Sequence, residues 1–135
     1  MPGMYDGNVA LIEDILGRLI WATQQIERRF KVIAEVDDFL KTDAGTEKLD
    51  SICMQLINIG EALKQIDKLS GKVLLSRYPA IEWKNVMGMR DIITHHYFDI
   101  DAEIVFNVCD EHIPRLQQTL IQIKADLSNP KPPQS

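Results

Sequence analysis

The feature that most constrains this chain is a set of apolar side chains recurring at three- and four-residue steps, with no strand-like alternation anywhere. Val9, Ile12, Leu16, Leu19, Ile26, Phe30 and Ile33, with Thr23 in the remaining slot, fall on one stripe of a long amphipathic helix. Leu11, Ile15 and Trp21 lie off that stripe, which predicts more than one packing neighbour for this helix. A turn is expected at Thr42-Asp43-Ala44-Gly45, with Thr46 as the next N-cap and Glu47 and Asp50 as early carboxylates. The second stripe is Leu49, Ile52, Leu56, Ile59, Leu63 and Ile66, and Ser70-Gly71 is a natural stop. The stretch from Arg77 to Trp83, with Pro79, reads as an irregular connection into a third helix carrying Val86, Met89 and Ile93. Asp99 and Asp101 offer a fresh N-cap for a helix running through Val105, Val108, Cys109, Leu116, Leu120, Ile123 and Leu127. Pro114 removes a backbone donor inside that helix, so a kink or restart is expected near His112.

These elements predict an all-α, up-and-down bundle of four to five helices with a kinked C-terminal helix. A chain of 135 residues is about one domain in size, here read as residues 1–127. The tail 128–135, Asn-Pro-Lys-Pro-Pro included, has little to bury and is expected to be extended or disordered. No apolar run approaches the roughly 20 residues of a membrane span, and no secretion signal opens the chain, so a cytoplasmic location is expected. Cys53 and Cys109 sit within helical patterns and read as buried free thiols. There is neither a Cys/His spacing for zinc nor a Gly-rich phosphate loop. The formal net charge of −5 argues against a broad basic face for gripping nucleic acid, though not against local contact with a few phosphates.

The candidate functional centre is Arg90-Asp91-Ile92-Ile93-Thr94-His95-His96-Tyr97. Residues seven apart on a helix differ by about 20° around its axis, so Arg90 and Tyr97 share a face, with Thr94 between them. His95 would point about 140° away from Arg90 on a regular helix. Either the helix ends or distorts near Thr94-His95, or two copies of the chain complete one site across a two-fold axis; the second arrangement is favoured. Arginine presents a fork of donors matching two phosphate oxygens. Histidine can take a proton from a ribose 2′-hydroxyl, or return one to a leaving oxygen, near neutral pH. Together they suffice for cleaving RNA without a metal or other cofactor, by attack of the 2′-oxygen on the adjacent phosphorus. DNA lacks that hydroxyl and is excluded as a substrate. On spacing alone, an Arg and a His near a helix end are more often surface or capping groups. His96 reads equally as a C-terminal cap, and Tyr97 as core or interface.

The words around the motif add to this. Ile59-Gly60-Glu61-Ala62, Tyr78-Pro79 with Ile81 and Trp83, Gly88-Met89-Arg90, His95 to Asp101, and Ile113-Pro114-Arg115-Leu116 occur in this order. The series resembles the HepT-like branch of the HEPN superfamily over roughly Asn8 to Leu127. The resemblance implies a dimeric helical toxin that cuts RNA, with Arg90 and His95 as the catalytic pair. It also implies a minimal nucleotidyltransferase antitoxin as partner, able to transfer AMP from ATP to Tyr97. Such groups on the phenol would pair with Arg90 and exclude the RNA backbone. One departure stands out: the family often has Asn after the arginine, and this chain has Asp91. A carboxylate there would repel phosphate, or would hold Arg90 or a histidine in place. Glu61 is a possible second acid, and His96 and Thr94 are further supporting candidates. The alternative is a HEPN module without catalysis that binds nucleotide or a nucleotidyltransferase; a purely structural dimer is a third reading.

Overall fold

The computed structural model describes residues 6–96 and 99–129. Among the described residues five α-helices carry the fold: α1 (Val9–Phe30), α2 (Asp43–Leu69), α3 (Trp83–His95), α4 (Ala102–Asn107) and α5 (Ile113–Ser128). Single 3-10 turns stand at Asp6–Asn8, Val36–Phe39 and Leu75–Arg77, and a π-helical segment, Val108–His112, links α4 to α5. No strand occurs among the described residues. The expected all-α bundle is what forms.

The helix α1 is central, packing on α2 along one side and α5 along the other. Hydrogen bonds at the ends set the register. The Asn8 side-chain amide donates to the Leu69 carbonyl (3.0 Å), which places the start of α1 beside the end of α2. Ser128 Oγ donates to Glu13 (3.3 Å), while Gln117 Nε2 donates to Thr23 Oγ1 (3.1 Å) and Glu27 (2.8 Å), so α5 also runs antiparallel to α1. Thr23 is fully buried, and its hydroxyl is satisfied by donating to the Ile20 carbonyl (2.7 Å). That is how a polar residue occupies a slot in the apolar stripe.

The core is one continuous cluster from all five helices, including Ile12, Leu16, Leu19, Ile26, Ile52, Ile59, Leu63, Ile66, Ile93, Leu120 and Ile123. Cys53 and Cys109 are buried within it as free thiols, as expected. Burial pushes Cys53 up to about 11 and Cys109 to about 12. Ile15, read from the sequence as off the stripe, is buried, because a helix clamped between two partners needs a wider apolar face than one stripe. Leu11 and Trp21, the other two outliers, are exposed.

Three boundaries differ from expectation. The α1 helix ends at Phe30, and Ile33 is buried from the connection that follows. Thr42 rather than Thr46 caps α2, its Oγ1 accepting from the Gly45 N–H at 2.9 Å. The expected turn at 42–45 is thus the first turn of the helix, and the Thr46 hydroxyl donates to the carbonyls of Phe39 (3.2 Å) and Thr42 (3.1 Å). Gly45 is there for closeness: a Cβ would lie 2.0 Å from the Asp38 carbonyl oxygen. Trp83 belongs to α3 as its first residue.

The restart expected near His112 is present, taken up by the π-helical segment with Pro114 at the head of α5. Asp101 caps α4, accepting from the Glu103 N–H at 2.9 Å. Ser128, read as the start of the tail, closes α5, while residues 130–135 lie outside the described residues. Among the described residues no helix is long and apolar enough to cross a membrane.

Candidate functional site

Helix α3 packs chiefly on α2, and a close contact point is Gly60. A Cβ at Gly60 would sit 3.0 Å from Arg90 Cβ and 3.1 Å from the Met87 carbonyl oxygen. Glycine therefore lets the two backbones approach closely, and its neighbour Glu61 is carried to the side of α3. The segment before α3 is pinned by two hydrogen bonds. The Trp83 indole N–H donates to the Tyr78 carbonyl (2.9 Å), and the Tyr78 hydroxyl to Asp126 on α5 (2.6 Å). The Gly-Glu-Ala and Tyr-Pro-x-x-x-Trp words thus have structural work: both fix where α3 lies.

At that crossing Arg90 is held by two carboxylates. Its Nε is 2.9 Å from Glu61 Oε1 and its Nη1 is 2.9 Å from Asp91 Oδ1. The Asp91 hydrogen bond and the Glu61 charge raise Arg90 above its ordinary value, keeping the guanidinium charged. The reciprocal hydrogen bond from Arg90, with the charge of Lys64, holds Asp91 below the usual carboxylate range. Lys64 Nζ stands 4.0 Å from the same Glu61 oxygen. All of these side chains are roughly half exposed, so the cluster is an open surface site. Asp91 thus contacts Arg90 directly.

The α-helix persists through His95, and His96 is its C-cap. His95 Nδ1 lies 2.8 Å from the Asp91 carbonyl oxygen. A carbonyl can only accept, so Nδ1 carries the proton, and in the neutral ring Nε2 is left with its lone pair. The ring is exposed. Thr94 Oγ1 donates to the Arg90 carbonyl (2.8 Å) and lies 3.3 Å from that of Asp91, so its hydroxyl is committed to the helix. The His96 N–H donates to Ile92 (3.2 Å), and its carbonyl accepts from Asp99 (2.9 Å), which makes it a helix terminator. Tyr97 lies outside the described residues.

The structure thus brings together Arg90, Asp91, Glu61 and Lys64, with His95 on the last turn of the same helix. Lys64 was not among the residues singled out from sequence; its i+3 spacing from Glu61 was the available signal. Among the described residues, no three His, Cys, Asp or Glu side chains cluster as a cation site requires.

Comparison with known proteins places these observations in a wider set. The family described as Ribonuclease HepT-like matches residues 19–123. A Methanocaldococcus jannaschii protein whose name provisionally assigns it as an RNase is 32% identical over 91 residues, covering 67% of this chain and 69% of its own length. The "Probable ribonuclease HepT" of Thermococcus cleftensis is 30% identical over 105 residues, covering 78% of this chain and 88% of its own. A further M. jannaschii protein, named for gamma-glutamylcyclotransferase and RNase activities, is 29% identical over 118 residues, and the match spans 49% of its length. No solved structure matches significantly.

Proposed function

Because this chain belongs to the HepT-like ribonuclease family, we propose that it is an endoribonuclease using Arg90 and His95. The observation that carries this reading is the pairing of a half-exposed, charged Arg90 at the α2–α3 crossing with a His95 whose free ring nitrogen is Nε2. In the reaction, Arg90 binds the scissile phosphate and stabilises the charge that builds on its oxygens. His95 Nε2 takes the proton from the ribose 2′-hydroxyl, and the 2′-oxygen attacks phosphorus as the 5′-oxygen leaves. That proton, or one from a second acid, completes the leaving hydroxyl. The products are a 2′,3′-cyclic phosphate and a 5′-hydroxyl end. The carboxylates on Arg90 Nε and Nη1 compete with phosphate for the guanidinium, which makes Asp91 a restraint on the activity.

The regularity of α3 through His95 supports a site shared by two copies. Helix α3 ends at His95 but stays regular up to it, so in this reading the roughly 140° between the two residues is bridged by a homodimer that faces two α3 helices across one cleft. The family supports the rest of the reading: a cytoplasmic toxin, silenced by a minimal nucleotidyltransferase that transfers AMP to Tyr97. AMP phosphates at position 97, seven residues from Arg90, would occupy the guanidinium in place of RNA. The double carboxylate clamp also favours a second reading, a non-catalytic module that binds nucleotide or the nucleotidyltransferase. It predicts ATP or partner binding with no RNA cut at any protein concentration.

The deciding experiment incubates purified protein, in a chelator, with an oligoribonucleotide and with its all-deoxy counterpart. Cleavage of the RNA alone, with cyclic phosphate ends, is expected. Cutting of both strands, or of neither, would remove the proposed chemistry. Mass spectrometry after co-expression with the partner is expected to find AMP increments on the peptide carrying Tyr97.

A further inference from the structure

An open groove of about 710 Å³ runs between α1 and α2, and Glu61 sits on its wall. It therefore begins at the Arg90 cluster, since Glu61 is the residue that Arg90 contacts from α3. Three cations line it, Arg18 on α1, which is paired with Asp14 at 3.0 Å, and Lys64 and Lys68 on α2, together with the carboxylate of Glu61. Arg90 offsets Glu61 at 2.9 Å, which leaves the two lysines of α2 as a locally positive strip in a chain whose net charge is −5. Glu61, Lys64 and Lys68 are spaced three and four apart, so they form one strip along α2. The strip rises ~10 Å, the span of about three stacked nucleotides. Trp21 faces the same groove and is 54% exposed, the indole otherwise unexplained by the core. Asn58 adds an amide.

We infer that this groove is the track for single-stranded RNA flanking the cut: Trp21 stacks on a base while Lys64 and Lys68 meet successive phosphates. An aromatic platform beside a row of cations is what sequence-tolerant binding of a single strand requires. The local positive strip resolves how an acidic protein holds a polyanion, by confining attraction to one path that leads to Arg90. A second copy of the chain fits the groove less well, because the buried centres of protein interfaces are depleted in Lys and Glu. The inference rests on the ribonuclease reading and extends it from the scissile phosphate to its neighbours.

The test uses His95→Ala protein, which binds without cutting, and a fluorescein-labelled single-stranded oligoribonucleotide followed by anisotropy over a salt series. Adding Trp21→Ala is expected to weaken binding ~5- to 150-fold, and Trp21→Phe to retain most of it. Adding Lys64→Ala and Lys68→Ala is expected to lower the slope of log affinity against log salt by about 1.4, or ~0.7 per lost phosphate contact. Unchanged affinity and slope, in a protein whose wild type still cuts RNA, would overturn the groove assignment and leave the ribonuclease reading standing. A change in dimerisation on Trp21→Ala, with RNA affinity unaltered, would make the groove a self-interface and also overturn it. If wild type neither binds nor cuts RNA, both readings fall.

Discussion

Gly60→Ala probes the crossing that positions the site, and Gly88→Ala is its built-in control. Both glycines lie inside helices, where alanine is intrinsically better by ~1 kcal/mol. At Gly88 a Cβ meets nothing within 4 Å, so the gain should appear largely undiminished, raising the melting temperature by ~3–5 °C. At Gly60 the Cβ would meet Arg90 Cβ at 3.0 Å and the Met87 carbonyl oxygen at 3.1 Å. Neither neighbour is the loose end of a side chain, so α3 itself must move by a few tenths of an ångström. Overpacking of this kind costs ~1–3 kcal/mol, which cancels or outweighs the propensity gain. Gly60→Ala should therefore range from neutral to ~2 kcal/mol destabilised, ~1–3 kcal/mol below Gly88→Ala. Thermal unfolding followed by circular dichroism, with a denaturant titration for each variant, measures this gap. RNA cleavage by Gly60→Ala should also fall, because the displacement separates Arg90 from Glu61. Equal stabilisation by both substitutions would refute the close approach of α2 and α3 on which the site geometry depends.

Asp91→Asn keeps an oxygen that can accept from Arg90 Nη1 while removing the charge that competes with phosphate. Cleavage efficiency should rise about two- to fivefold, the modest scale of an exposed ion pair, and unchanged or lower activity would show that Asp91 does not restrain Arg90. Asp38 is held at about 2, against an ordinary 3.8, by Lys41 and the N–H groups of Ala34 and Glu35. A lowered carboxylate contributes stability that is fully present above its unfolded value and is lost as pH falls through the folded one. Asp38→Asn should therefore flatten the pH dependence of stability between about 4 and 2 in acid titrations; an unaltered acid limb would contradict this.

Much of the fold was legible because α1 and α2 bury what their stripes present: every residue from Leu49 to Ile66 on the second stripe is in the core. What escaped the sequence follows from packing. Ile15 looked misplaced until α1 acquired two neighbours, and Gly45 looked like a turn until the Asp38 carbonyl was found where its side chain would be. Thr42 and Thr46 are both followed by carboxylates, and only the path of the preceding 3-10 turn selects Thr42 as the cap. In the site, the Arg90–Asp91 contact is between sequence neighbours and was open to inference. The Arg90–Glu61 contact joins residues far apart in the chain, and the only local hint was the glycine before Glu61, which marks a close helix approach. The spacing of His95 from Arg90 was legible and is preserved, since α3 stays regular to its end.

The shared-site ribonuclease is tested most directly by mixing two dead variants. Arg90→Ala and His95→Ala proteins are each expected to lose RNA cleavage. Unfolded and refolded together in equal amounts, half of the dimers would pair one of each and hold one intact site of two, restoring about a quarter of wild-type activity. Retention of cleavage by either variant alone would contradict the roles given to Arg90 and His95, and no recovery in the mixture would contradict a site built from both copies.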